Sequence, residues 1–300
     1  MNLTDSALSD ILNALLSPEA VSPLVSFSAS NNNLVKIPLQ MSKFTSLSNV
    51  HFNNNHITTL PIGSFNFLNV GSVTLGLHKN HISSIALGAL YFNPYPTVIS
   101  INLSENRLGQ IYPHTFDFLS MSTSIDLDLR GNRLMTVPSS AFYFSAYRIH
   151  LDIRDNSISN ISQYAFYFGP SVVDIYIYLD DNNINKIPPA TFSFTSSAVS
   201  IEIGLSNNQM AEIPSSAFKF ASYSYSINLD FGYNKIETIT APKTFNFIPP
   251  SENFNLGLNG NKMTTLSSSV FEPLLNRMQQ QSTTFYRIDI TESNFNFSFK

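Results

Sequence analysis

The chain repeats itself ten times, and this repetition limits its possible folds more than any other feature. An asparagine recurs at steps of 23 to 27 residues from residue 32 onward. Around it, residues 124–144 (SIDLDLRGNRLMTVPSSAFYF) align with residues 200–220 (SIEIGLSNNQMAEIPSSAFKF) without a gap. A fixed period of this length indicates an elongated array in which each unit packs only on its neighbours. The ten asparagines are Asn32, Asn55, Asn80, Asn106, Asn132, Asn156, Asn182, Asn208, Asn234 and Asn261.

Each repeat opens with a short segment in which apolar and polar residues alternate. Ile125, Leu127 and Leu129 alternate with charged residues, and this period of two predicts a half-buried strand. Consecutive strands lie about 20 residues apart, too far for hairpins, so we expect them to stack as a parallel sheet. One face of the sheet then points into the array, and the other face is open.

The asparagine column is predicted to be structural. A buried asparagine at the end of a strand can donate and accept hydrogen bonds toward backbone groups of its own and the next repeat. Replacing one would leave buried peptide groups unpaired, at a cost of about 1–3 kcal/mol. Apolar residues that follow the asparagine, such as Leu134 and Val137, are predicted to fill the core.

Two phenylalanine columns follow the asparagine column. We expect the first to form a structural spine in the core, with Leu90 in its place in the third repeat. The second lies two residues further on and is either core or an exposed aromatic stripe. We expect both columns to be buried only where the convex segment coils. The first column is Phe65, Phe116, Phe142, Phe166, Phe192, Phe218, Phe245 and Phe271. The second is Phe67, Phe92, Phe118, Phe144, Phe168, Phe194, Phe220 and Phe247.

The pattern L-x-L-x-x-N-x-I-x-x-I-P-x-x-x-F-x-F resembles the leucine-rich repeat family, whose period is about 20–29 residues. Its I-P-x-x-A-F variant looks most like the repeats of animal extracellular recognition proteins. The resemblance implies an α/β solenoid of horseshoe shape with about ten to eleven repeats. It also implies a parallel sheet on the concave face, a mostly irregular convex side, and ligand binding by the concave face.

The solenoid is expected over residues 24–275, with different segments at its two ends. Residues 1–23 are predicted to form an N-terminal cap around an amphipathic helix at about 5–17. Residues 276–300 are predicted to form a partial repeat or cap, with Ser293 in the asparagine position. Residues 1–20 lack the basic start of a signal peptide, and no apolar stretch is long enough to span a membrane. An extracellular or cell-surface location follows from the resemblance alone.

Composition removes several classes of chemistry. The absence of cysteine excludes disulfides, thiolate metal sites and a cysteine nucleophile. A net charge of −4 argues against a general nucleic-acid binder. No nucleophile or phosphate-loop motif is present, so we expect no enzymatic activity and no cofactor. A calcium site built from Asp126, Asp128 and Asp152 suits the ligand type, but flat strands converge poorly on one ion, and we expect no metal.

The outward positions of the strands give the candidate ligand-binding residues. Carboxylates concentrate in the middle repeats, where Asp128 is expected beside Asp152 and Arg130 beside Arg154. Like charges side by side are destabilising, so we expect crosswise aspartate–arginine pairs to offset them. Tyrosine and arginine are enriched where interfaces gain most of their affinity. The candidates are Asp126, Asp128, Arg130, His150, Asp152, Arg154, Tyr176, Tyr178, Asp180, Glu202 and Asp230.

Two functional hypotheses follow. The first is a non-enzymatic recognition module that binds a protein or glycan partner through the concave face. The second is a structural protein whose copies assemble end to end into a fibre or extracellular matrix. The uneven polar chemistry of the middle repeats favours the first, and the low charge favours the second. The same candidate face has a simpler interpretation, a solvated sheet surface with local ion pairs that each contribute little.

Overall fold

The structure is a computed structural model of the 300-residue chain. It describes residues 3–15, 24–38, 41, 43–44, 46–65, 71–92, 96–194, 198–214, 217–220, 224–239, 244–245, 253–266, 270 and 285–293. Three phenylalanines of the two predicted columns, Phe67, Phe247 and Phe271, lie outside the described residues. So do residues 16–23 and 276–284 of the two predicted end segments.

Eleven parallel strands stack in chain order and form the concave sheet. They are β1 (Ser26–Ser28), β2 (Asn49–His51), β4 (Ser72–Gly76), β6 (Val98–Asn102), β7 (Phe116–Asp128), β9 (Phe142–Asp152), β12 (Asp174–Tyr178), β14 (Ser200–Gly204), β16 (Ser226–Asp230), β18 (Asn253–Gly257) and β20 (Phe285–Asp289). The other strands are β3 (Thr59–Leu60), β5 (Ser84–Ile85), β8 (Thr136–Val137), β10 (Asn160–Ile161), β11 (Phe166–Phe168), β13 (Phe192–Phe194), β15 (Phe218–Phe220), β17 (Thr238–Ile239) and β19 (Thr265–Leu266). The predicted solenoid with a parallel concave sheet and about ten to eleven repeats is confirmed.

The period-two pattern determines which face of each strand is buried. Ile125, Leu127 and Leu129 are fully buried, while Asp126 between them is exposed. The neighbouring strands repeat this alternation in register, with Ile125 beside Ile149. The inward side chains therefore form one continuous apolar core along the solenoid.

The asparagine column ties each repeat to the one before it. The Asn132 side-chain amide donates to the carbonyls of Leu103 and Leu129, each at 3.0 Å, and its Oδ1 accepts from the Leu108 N–H at 3.0 Å. Asn182 makes the same bonds one period later, to Ile153 and Ile158 among others. The bonds reach the preceding repeat, whereas we expected the following one. The bonds to the following repeat are made by that repeat's own asparagine, which reaches back in the same way.

The residue before each asparagine has a left-handed backbone. Glu105, Asp155 and Asp181 there have φ angles of 53°, 53° and 55°, and glycine takes this position at Gly131 and Gly260. Asparagine, aspartate and glycine reach this conformation more easily than other residues. The tight turn that it creates aims the asparagine side chain under the strand.

The described phenylalanines of both columns are buried, and those from Phe116 to Phe220 lie in extended segments rather than in a coil. Phe166 and Phe168 lie in the short strand β11, and both are 3 % exposed or less. Side chains two residues apart share one face of a strand, so an extended segment buries both and turns Tyr167 outward. The expectation that joint burial requires coiling was therefore wrong. Rings of neighbouring repeats stack along each column, at 5.6 Å from Phe142 to Phe166 and 5.8 Å from Phe144 to Phe168.

Different elements occupy the two ends of the sheet. Helix α1 spans Asp5–Leu15 and buries Leu8 and Leu12. At the other end, β20 pairs in parallel with β18. Ser293 occupies the asparagine position there, and its Oγ donates to the carbonyl of Leu258 at 3.3 Å. The repeat chemistry thus continues to the last described residues.

Candidate functional site

The middle strands bring the predicted polar residues together on the open face. Across β7, β9, β12 and β14 the first outward column runs Asp126, His150, Tyr176 and Glu202, each beside the next. The second and third outward columns lie directly alongside it because every strand is in register. We call the following set the central patch: Asp126, Asp128, Arg130, His150, Asp152, Arg154, Tyr176, Tyr178, Asp180 and Glu202.

Each arginine of the central patch pairs mainly with the aspartate two residues before it. Arg130 donates from Nε and Nη2 to Asp128, at 3.0 and 2.8 Å. Arg154 donates in the same manner to Asp152, at 3.0 and 2.6 Å. The crosswise pairing that we expected is limited to Arg130 Nε and Asp152 Oδ2, at 3.3 Å. Residues two apart on one strand share a face, which makes the pair within the repeat the shorter one.

Asp152 is the most buried charged group of the central patch. Its side chain is 3 % exposed and lies between the guanidinium groups of Arg130 and Arg154. Strand pairing also sets Asp128 directly beside Asp152. The two cations offset this contact between like charges, and hydrogen bonding to Asp152 raises the pKa of Arg154. The four residues form a network in which each carboxylate has a cationic partner.

His150 forms a second ion pair in the central patch. Its Nδ1 lies 2.8 Å from Asp126 Oδ1 on the neighbouring strand. Hydrogen bonding to Asp126 raises the pKa of His150, outweighing the opposite effect of burial. The imidazole is therefore more readily protonated than a free histidine. Its ring and that of Tyr178 pack edge to face, at 5.5 Å between ring centroids.

Tyr178 links the ion pairs to the next strand. Its hydroxyl donates to Glu202 Oε1 at 3.1 Å, and the Arg154 guanidinium lies 5.2 Å from its ring centroid. A cation at this distance is attracted to the face of the ring. Burial, together with the Glu202 charge, raises the pKa of Tyr178 to about 12. The phenol is therefore neutral and remains a hydrogen-bond donor at physiological pH.

Asp180 accepts hydrogen bonds from the repeat that follows it. Its Oδ1 accepts hydrogen bonds from the Ser206 N–H and Oγ, at 2.9 and 2.8 Å, and burial raises its pKa. Its carboxylate leans over Gly204, which has no side chain to obstruct it. Asp230, the remaining predicted residue, lies beyond Gly204 on β16 and outside the central patch.

The structure gives no direct sign of metal chemistry in the part of the chain it describes. Those residues contain no group of three or more histidine, aspartate or glutamate side chains arranged to hold an ion. His56 and His81 stack at 5.1 Å between ring centroids. None of the described helices is long and apolar enough to cross a membrane.

Sequence reasoning missed a second feature of the open face. A cavity of 320 Å³ lies between β16, β18 and β20, around Gly257. Asn228, Asn255 and Arg287 line it, and none of these was selected as a candidate. The available signal was the glycine at outward positions 232 and 257, where the other repeats mostly carry larger side chains.

The stacked parallel strands, the asparagine column and the phenylalanine columns together define a leucine-rich-repeat solenoid. The chain belongs to the BspA-type leucine-rich repeat family, whose sequence model matches residues 86–224 and 136–298 with six copies. The matched segments span more than half of the chain and include the whole central patch.

Individual relatives cover the chain to different extents. Tsukushi-A of Xenopus laevis is 29% identical over 139 residues, which are 46% of this chain and 38% of that protein. A leucine-rich repeat protein from Bacteroides eggerthii matches 98% of this chain and 43% of its own, with a TM-score of 0.53 and 19% identity. A structure of the Drosophila Toll–Spatzle complex matches 81% of this chain and 38% of its own, with a TM-score of 0.51 and 17% identity. The chain thus spans less than half the length of the curated relatives it matches, and the two structures share its fold.

Proposed function

We propose that this protein is a non-enzymatic recognition module that binds a protein partner through the central patch. The observation that carries the proposal is the combination of Tyr178 and Arg154 on an open sheet face, stacked on each other and fixed by further bonds. Tyrosine and arginine supply much of the affinity of protein interfaces. Side chains already held in place lose little conformational entropy on binding.

Charge indicates the chemistry of the partner. The central patch holds five carboxylates against two guanidinium groups, so its surface is negative when His150 is neutral. Complementary charge accelerates association and excludes partners of like charge. We therefore propose that the docking surface of the partner is basic, and that binding weakens as salt is raised.

The relatives support protein binding as the class of function. One matching structure is described as a complex of Toll with Spatzle, in which a protein of this fold occurs with a second protein. The fold alone does not specify a ligand, so the partner must be selected by the surface chemistry. An extracellular or cell-surface location belongs to the same proposal, and antibody labelling of intact cells tests it.

Affinity capture with matched variants tests the central patch. Arg154→Ala with Tyr178→Ala removes both anchors, and we expect partner affinity to fall by at least about tenfold. Tyr167→Ala is the control, because Tyr167 is an exposed tyrosine on the convex side. Equal capture by the double variant and the wild type, with equal melting temperatures, would contradict the proposal.

Self-assembly stays a prediction from composition, since no described contact bears on it. Light scattering across a concentration series distinguishes it from recognition. A particle mass that rises with concentration favours a fibre or matrix, and a constant monomer mass favours the recognition module.

A further inference from the structure

We propose that the cavity around Gly257 is a binding site for a neutral saccharide, separate from the central patch. We call it the C-terminal groove, and its polar lining comes from Asn228, Asp230, Asn255, Asn259, Arg287 and Asp289. The proposal does not depend on the protein-binding function of the central patch, because the two sites use different residues.

Strand register builds the C-terminal groove as a grid with a glycine at its centre. Asn228, Asn255 and Arg287 lie side by side in the first outward column of β16, β18 and β20. In the second column, Gly257 lies between Asp230 and Asp289. Parallel strands are about 4.8 Å apart, so the backbones of the two aspartates lie about 10 Å apart. The resulting cavity of 320 Å³ falls within the usual size of a small-ligand site.

The glycines leave room for polar groups that lean inward. A Cβ atom on Gly257 would lie 2.5 Å from Asp230 Oδ1, and one on Gly232 would lie 2.8 Å from Asn259 Oδ1. Both distances are shorter than van der Waals contact. Asp230 Oδ1 is held in this position by the Gly232 N–H, which donates to it at 2.8 Å. A larger residue at either position would displace the groups that line the groove.

The amide groups of the groove have no internal partners among the described residues. The side chains of Asn228, Asn255 and Asn259 make no hydrogen bond to any residue that the structure describes. This contrasts with the central patch, where the carboxylates form hydrogen bonds with the arginines and with Tyr178. Unpaired amides beside a cavity are available to a ligand, and each can donate and accept at once.

The combination of groups selects neutral polyhydroxylated ligands. A sugar hydroxyl both donates and accepts hydrogen bonds, and a side-chain amide can do the same. A carboxylate can accept hydrogen bonds from two hydroxyls. Two carboxylates against one guanidinium leave an excess negative charge, which disfavours acidic or sulfated sugars. Among the described residues of the lining, Leu256 alone has an apolar side chain, and it is 1 % exposed. These residues therefore offer no pocket for a hydrophobic anchor of a peptide.

Oligosaccharide binding by the full chain tests the assignment. An array of neutral, sulfated and carboxylated oligosaccharides is screened first, and the tightest neutral binder is then titrated calorimetrically. Each lost hydrogen bond weakens binding by about fivefold, so Asn228→Ala with Asn255→Ala should weaken it by about 25-fold. Asn49→Ala is the matched control, because Asn49 occupies the same outward column on β2. The melting temperature should be the same in all three proteins.

Three outcomes would overturn the assignment. They are the absence of neutral oligosaccharide binding, selective binding of acidic sugars, and equal binding by the double variant and the wild type. Arg154→Ala with Tyr178→Ala should leave saccharide binding intact. Loss of protein capture without loss of sugar binding therefore separates failure of one site from failure of the other.

Discussion

At the scale of single residues, Asp152 shows how a buried charge organises an exposed face. It accepts from Arg154, contacts Arg130 and lies in register with Asp128. Removing it would leave Arg154 without its main carboxylate partner, while Arg130 would keep Asp128. A buried ion pair is weak evidence for stability, since the desolvation cost of its charges offsets much of their attraction. Its clearer effect is to fix the positions of the arginines that face solvent.

The pair of His150 and Asp126 predicts a pH dependence. Asp126 raises the folded-state pKa of His150, so the pair contributes its full stability below the unfolded pKa of about 6.5. This contribution is lost as the pH rises through the folded-state pKa. We expect Asp126→Asn to destabilise the protein at pH 5 and to have a smaller effect at pH 8, measured by urea unfolding.

An NMR titration of His150 provides the direct check. The His150 pKa should be lower in Asp126→Asn than in the wild type, because the main cause of the shift has been removed. A stability difference that is the same at both pH values would show that the pair is not linked to protonation.

At the scale of the element, the F-x-F segment is a short strand whose two phenylalanines face the core. Five consecutive repeats stack the second phenylalanine on its neighbours, from Phe118 to Phe220, at centroid distances of 5.1 to 5.8 Å. Large core side chains contribute through both transfer from water and the filling of space. The second column therefore has the same structural role as the first.

Truncation of the F-x-F segment tests this equivalence. Phe166→Ala and Phe168→Ala should each lower the free energy of unfolding by about 3–5 kcal/mol. Tyr167→Ala, between them and exposed, should cost much less. The three variants are compared by chemical denaturation. A cost for Phe168→Ala close to that of Tyr167→Ala would place the second column outside the stabilising core.

The elements differ in how well the sequence predicts them. Alternation and a fixed period are enough to place Asp128 beside Asp152, because register in a parallel stack follows from repeat alignment. Side-chain pairing is harder to predict, since whether Arg130 turns to its own repeat or to the next depends on rotamers. The C-terminal groove was not predicted because its defining feature is the missing side chain at Gly257. Sequence patterns were searched for charged, aromatic and other reactive side chains, and a glycine is none of these.

At the scale of the whole molecule, stability is distributed along one axis. Each repeat contacts only its neighbours, so the free energy of folding is approximately a sum of repeat and interface contributions. In the described part of the chain, β1 pairs only with β2 and β20 only with β18, whereas every strand between them in the sheet has at least two neighbours. The ends of the sheet therefore have fewer stabilising contacts than its middle.

Hydrogen exchange read by mass spectrometry tests this gradient. Backbone amides of β9, β12 and β14 should exchange most slowly, and those of β1 and β20 fastest, because terminal repeats open without disturbing the rest. The amides of Leu108 and Leu134, which donate to the next asparagine, serve as internal references within the middle repeats. Uniform protection along the chain would indicate a single cooperative unit.

The asparagine column also determines how the molecule responds to mechanical load. Each asparagine binds only to its own repeat and the preceding one, as Asn132 does through Leu103, Leu108 and Leu129. Tension applied at one end is therefore resisted by one such junction at a time. When that junction breaks, it releases a repeat of about 25 residues, or about 85 Å of extended chain. The solenoid would lengthen in discrete steps and dissipate energy at each one.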